Sequence, residues 1–120
     1  MKTYTKEEQR RNLEGACKAL EANPKKAING MRDKHGGRCC LCVMEDYARS
    51  INPEIKKGGS GLPHSDLAEF YGIDNHIQAE RSFDFAFSND FLASQCNDGD
   101  GAKEHTHKEI AARIRKDFLA

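Results

Sequence analysis

Apolar residues recur at helical spacing in four stretches of this chain. Thr5 and Glu8 carry a capping-box pattern, and Leu13, Ala16, Cys17 and Leu20 then fall on one face. Asn23-Pro24 ends this first helix and starts a short turn through Ala27 and Ile28, and Gly30, Gly36 and Gly37 mark a loop. A second helix is predicted from about Cys39 to Arg49, with Cys40, Leu41, Met44, Tyr47 and Ala48 as its apolar stripe and Asn52-Pro53 closing it. A third starts near Pro63 or Ser65, carries Leu67, Ala68, Phe70 and Tyr71, and stops at Gly72, where Ile73 suits the apolar contact of a Schellman ending. Thr106 and Glu109 form a second capping box. The helix behind it buries Ile110, Ala111, Ile114 and Phe118 and places Arg113, Arg115 and Lys116 late, where the helix dipole favours cations.

One segment has a different period. Phe83-Asp84-Phe85-Ala86-Phe87 is apolar at every second position, Ala86 apart, which predicts a short strand or hairpin around 82–88. The same aromatics also suit closing a helical core, and a strand there needs a partner, such as its own copy in a second subunit. The fold class expected is therefore mainly α. It is one small domain over 1–120 with four to five short helices, a flexible N-terminus at 1–4 and a flexible loop at 54–61 around Lys56-Lys57-Gly58-Gly59-Ser60-Gly61.

Composition narrows the function. The 120 residues suffice for one modest core. Hydrophobic content is 38% and Trp is absent, so the core is lean and a homodimer or higher homo-oligomer is expected. The 19 basic and 19 acidic residues cancel, which argues against non-specific nucleic-acid binding. No apolar segment opens the chain, so neither a signal peptide nor a membrane span is expected and the location expected is cytoplasmic. Five cysteines, odd in number and unevenly spread, do not read as a disulfide framework.

Three of those cysteines fall within four positions, in Arg38-Cys39-Cys40-Leu41-Cys42-Val43, at a helix start. Cys39 and Cys42 are spaced to share a zinc ion, with Cys96, His105, His107 or His35 completing a tetrahedron; buried thiols are the other reading, and no cofactor is then needed. A catalytic alternative activates Cys39 or Cys40 by the helix dipole and Arg38, with His105 or His107 as base. The run Cys96-Asn97-Asp98-Gly99-Asp100-Gly101 fails as a calcium loop, because Gly101 at the sixth position puts Cys96 first and His107 twelfth. Asn97-Asp98 remains: the pair either fixes a turn through its own backbone or receives a ligand's hydroxyls or amines. In the second case the helix start at Thr106 meets an anion and Arg38 adds a bidentate contact.

Three blocks in order carry a resemblance. They are Cys39-Cys40-Leu41-Cys42-Val43 with Asp46 behind it, Leu62-Pro63 followed by Leu67-Ala68-Glu69-Phe70-Tyr71-Gly72, and Asn97-Asp98 followed by Thr106, Ile110-Ala111 and Ile114. This order resembles a family of small, mostly uncharacterised bacteriophage and prophage proteins with a Cys-Cys-Leu-Gly-Val, Leu-Pro helix, Asn-Asp and Ser/Thr-capped terminal helix. Cys42 stands where that pattern has Gly, and 99–105 lengthens the link after Asn-Asp. The resemblance implies a viral origin, hence a host cytoplasm, and a small α-rich domain; it implies no activity.

The function expected from all this is non-catalytic. A phage accessory protein, directed at the host and its defences, would sequester a small anionic or nucleotide-type ligand through Arg38, Asn97, Asp98 and Thr106, or inhibit a host protein. The alternatives are a small Cys/His enzyme and a zinc-stabilised interaction module.

Overall fold

A computed structural model describes residues 3–23, 39–58, 64–73, 86–88, 91–98 and 105–119. Helix α1 (Lys6–Glu21) begins at the expected capping box: Thr5 Oγ1 accepts the Glu8 amide at 3.1 Å and the Glu8 carboxylate accepts the Thr5 amide at 3.0 Å. Its apolar stripe, Leu13, Ala16, Cys17 and Leu20, is buried. The Asn23 side chain donates to Ala19 O and closes the helix end.

Helix α2 (Cys40–Ile51) lies at the centre of the fold. Residues Cys40–Met44 are all buried, because α1, α3 and α4 pack around this one helix. Gly15 of α1 makes the crossing with α2 close: a Cβ there would sit 2.0 Å from Tyr47 Oη and 2.4 Å from Cζ. Among the described elements α1 is the main neighbour of α2 and also of the terminal helix.

Helix α3 (Asp66–Tyr71) stops at Gly72, whose φ of 69° is the left-handed conformation that glycine adopts without penalty; its amide donates to Ala68 O at 2.8 Å. Ile73 is buried behind it. Phe70 anchors an aromatic cluster, edge-on to Tyr4 at 5.1 Å and to Tyr71 at 4.8 Å between centroids. The Tyr71 hydroxyl donates to Met44 O at 2.6 Å, which ties α3 to α2.

The described parts of the segments 1–4 and 54–61 make contacts with the rest of the fold. Tyr4 is buried on Phe70, and its hydroxyl accepts a hydrogen bond from Asn52 Nδ2 at 2.6 Å. Within the 54–61 loop Ile55 is buried, Arg49 Nε donates to Ile55 O, the Lys56 amide donates to Asp66 and the Gly58 amide donates to Glu45 Oε2 at 2.8 Å. Small polar residues near a chain end or loop predict exposure; here one large apolar residue in each segment finds the core.

The strand expected around 82–88 is present in its described part, 86–88. β1 (Ala86–Ser88) pairs antiparallel with β2 (Phe91–Leu92), Ala86 opposite Leu92 and Ser88 opposite Phe91, so its partner comes from the same chain. Helix α4 (Ala93–Asp98) follows directly. It has no amphipathic repeat long enough to be read from sequence, and Asn97 and Asp98 are its last two residues. Helix α5 (His107–Ile114) starts at the expected Thr106–Glu109 capping box, packs on α1 and α4, and continues as wide, π-type turns over Arg115–Leu119. Arg115 fastens this end to α1 through Glu14 and, bidentately, Glu21. The mainly α fold class holds, with five helices among the described residues. The turn through Ala27 and Ile28, the helix start at Pro63 and the Phe83–Phe85 part of the alternating run lie outside those residues. No described helix is long and apolar enough to cross a membrane.

Candidate functional site

The start of α2 meets the end of α4. Cys39 is the N-cap of α2, and its sulfur accepts the Cys42 amide at 3.4 Å. Asn97, fully buried, reaches across: its Oδ1 accepts the Cys40 amide at 3.1 Å and its Nδ2 donates to Asp98 Oδ1 at 2.8 Å. First-turn amides of a helix have no intrahelical partner, and α2 offers no acidic residue in its first turn. Two residues distant in sequence, Asn97 and Cys40, thus solve one capping problem. The Asn97 side chain is engaged within the protein at both ends. Thr106 is engaged too, as its hydroxyl accepts the Glu109 amide at 3.1 Å. Arg38 and His35 lie outside the described residues.

All five cysteines are buried and unpaired as disulfides. Cys40 Sγ donates to Ala93 O and Cys42 Sγ to Asp46. Cys17 Sγ donates to Ala111 O, and burial pushes its thiol up to about 12. Among the described residues no three of His, Cys, Asp and Glu gather around one point. Cys39, Cys42, Cys96, His105 and His107 are therefore not brought together as the zinc set the spacing admits. The two histidines separate as well. The His107 ring is buried and its Nδ1 lies 2.5 Å from Asn23 O; a carbonyl only accepts, so that nitrogen carries the proton. His107 thereby pins the end of α1 to the start of α5, whereas His105 stays half-exposed, 3.9 Å from the Glu109 carboxylate.

His105 opens a groove of about 310 Å³ between α4 and α5. Buried Cys96 and Ile110 form its base, and Ala112 extends the apolar wall. Glu109, Arg113 and Lys116 complete the rim. Residues 105, 109, 112 or 113 and 116 recur at three and four, so among the described residues the wall follows one face of α5, from the residue before its N-cap to the π-type turns behind it. The Cys96 carbonyl accepts the His105 amide at 2.9 Å and fixes the two ends of the groove relative to each other. The Glu109 carboxylate is drawn back to the helix start by the Thr106 amide at 2.9 Å. Arg113 bonds Asp117 at 3.0 Å, and Lys116 stands exposed on the rim.

Sequence reading named Cys96 and His105 for other roles and missed the groove. The only signal was the 3–4 spacing of Glu109, Arg113 and Lys116, which also describes an ordinary solvated helix face. Glu45 was missed outright. It is fully buried in the centre of α2, with Oε2 on the Gly58 amide and Oε1 without a hydrogen bond.

No protein-family model matches this chain, and neither a curated protein nor a solved structure does.

Proposed function

We infer that this protein works by non-covalent binding, holding a small anionic ligand with an apolar body, of the nucleotide type, in the α4–α5 groove. The observation that carries this is the pairing of an apolar base, Cys96 and Ile110, with exposed Lys116 on the rim beside His105 and the Asp117-paired Arg113. An apolar slot with a few convergent charges is the common form of a small-molecule site. The site sits beside Asn97, Asp98 and Thr106 but uses different side chains, because those of Asn97 and Thr106 already hold helix starts.

Burial of every cysteine supports binding over thiol catalysis, since a nucleophilic thiol must meet its substrate. The phage-like order of motifs supports a host-directed role in which a cytoplasmic signal is withdrawn by sequestration. The lean core supports self-association, which sedimentation measures directly.

Calorimetric titration with adenosine and guanosine mono- and diphosphates tests the reading. At least one should bind, with affinity falling as salt rises. Lys116→Glu should weaken that binding by about tenfold or more, the loss of one charge-assisted contact. Equal heats from Lys116→Glu and the parent protein would exclude the groove, and no heat from any of the nucleotides would exclude this ligand class.

A further inference from the structure

A second groove, of about 250 Å³, lies on the other side of the C-terminal turns, between α1, the end of α3 and residues Phe118 and Leu119. Leu13, Tyr71 and Ile73 give it an apolar base. Lys6 and Arg10 stand on its rim, one helical turn apart on α1.

Among the described residues no carboxylate pairs with either cation of this rim. Among the described residues, Arg11 is paired with Glu7, Arg113 with Asp117 and Arg115 with Glu14 and Glu21. Arg10 instead gives its guanidinium to two neutral carbonyls, Phe118 O at 3.4 Å and Leu119 O at 2.9 Å. Lys6 has no ion pair among the described residues, and no acidic residue among them lines the groove. In a chain whose formal charges cancel, two cations left over an apolar strip form a local complement to acidic-apolar partners.

Spacing and the narrowness of the groove, about 250 Å³, suit an extended partner chain. Four residues of helix separate Lys6 and Arg10 by about 6 Å along the axis. Two residues of extended chain advance about 6.7 Å and return to the same face. We propose that this groove docks an extended, acidic segment of a partner protein, with carboxylates two residues apart over Lys6 and Arg10 and an adjacent apolar side chain on Leu13, Tyr71 and Ile73. The proposal is independent of the nucleotide reading, because the two grooves share no lining residue.

A random peptide library displayed on phage, selected against the whole protein, tests it. Enriched sequences should carry Asp or Glu at alternate positions beside an aliphatic or aromatic residue. Synthetic peptides of that sequence should bind at least tenfold more weakly to Lys6→Glu, whereas Lys116→Glu in the other groove should leave their affinity unchanged. Lys6 is exposed in the first turn of α1, where an acidic residue suits the helix dipole, so Lys6→Glu keeps the fold. Arg10→Gln provides a second variant with the same expected loss. Peptides without acids, equal affinity for both variants, or a library without enrichment while laurate binds would overturn the proposal, the last by assigning the groove to a small amphiphile.

Discussion

Asn97 Oδ1 lies 3.1 Å from the Cys40 amide nitrogen, so a side chain at the end of α4 caps the first turn of α2. The bond joins positions 57 residues apart and is fully buried. Replacing Asn97 by Ala leaves that amide without this acceptor, at a cost of about 1–3 kcal/mol. Asn97→Asp keeps an oxygen for Cys40 but sets a carboxylate against Asp98 Oδ1, where the amide now donates at 2.8 Å. Chemical denaturation should therefore show Asn97→Asp more damaging at pH 8 than at pH 4. A penalty independent of pH would mean that Asp98 does not face the new carboxylate.

Gly15 is required by Tyr47 rather than by backbone conformation. A methyl group there meets three atoms of the Tyr47 ring within 3 Å, so Gly15→Ala forces the ring or the helix aside and costs about 1–3 kcal/mol. Tyr47→Ala removes the obstacle. The double variant should then recover most of the Gly15→Ala loss, and strict additivity in a double-mutant cycle would show that the cost arises elsewhere.

Both capping boxes, the α1 stripe and the Gly72 ending were legible because each is a local pattern, written within one or two turns of helix. The hairpin was half legible: alternation pointed to extended chain, yet pairing depends on Phe91-Leu92, too short to show a period. The centre of the fold was read less well. Nothing near Glu45 in sequence marks it as buried, since its burial is decided by the loop carrying Gly58. The candidate groove was hidden for the same reason: Cys96 and Arg113 are neighbours only once α4 lies against α5.

Arg115 makes acid stability depend on one ion-pair cluster. Its guanidinium holds the Glu21 carboxyl below the usual carboxylate range, first through their hydrogen bonds and then through charge. A group with a depressed folded pKa stabilises the protein above its unfolded pKa, and that contribution disappears as pH falls through the folded value. Thermal unfolding of the parent protein should thus lose more stability than Arg115→Met as pH is lowered from 6 towards 2, and the two curves should converge in acid. The pair is exposed, so added salt should narrow the gap at pH 6. Parallel curves across the whole range would remove the Glu21–Arg115 pair as the cause.

Cys17 sets the opposite limb. Its thiol is buried between α1 and α5 with Ala111 O as partner, and burial pushes it from 9.0 up to about 12. A raised folded pKa means that the native state disfavours the thiolate. The stabilising contribution is whole below pH 9 and is lost as pH rises towards 12, because the unfolded chain ionises first. Alkaline unfolding of the parent should therefore be steeper over pH 9–12 than that of Cys17→Ala, although the Ala variant starts about 1 kcal/mol less stable from the atom it lacks. Reagent access gives a second check on the same residue: dithionitrobenzoate at pH 8 should leave Cys17 unlabelled until denaturant is added. Rapid labelling of Cys17 in the native protein, with unchanged alkaline slope in Cys17→Ala, would place the thiol at the surface and contradict its position beneath Ala111.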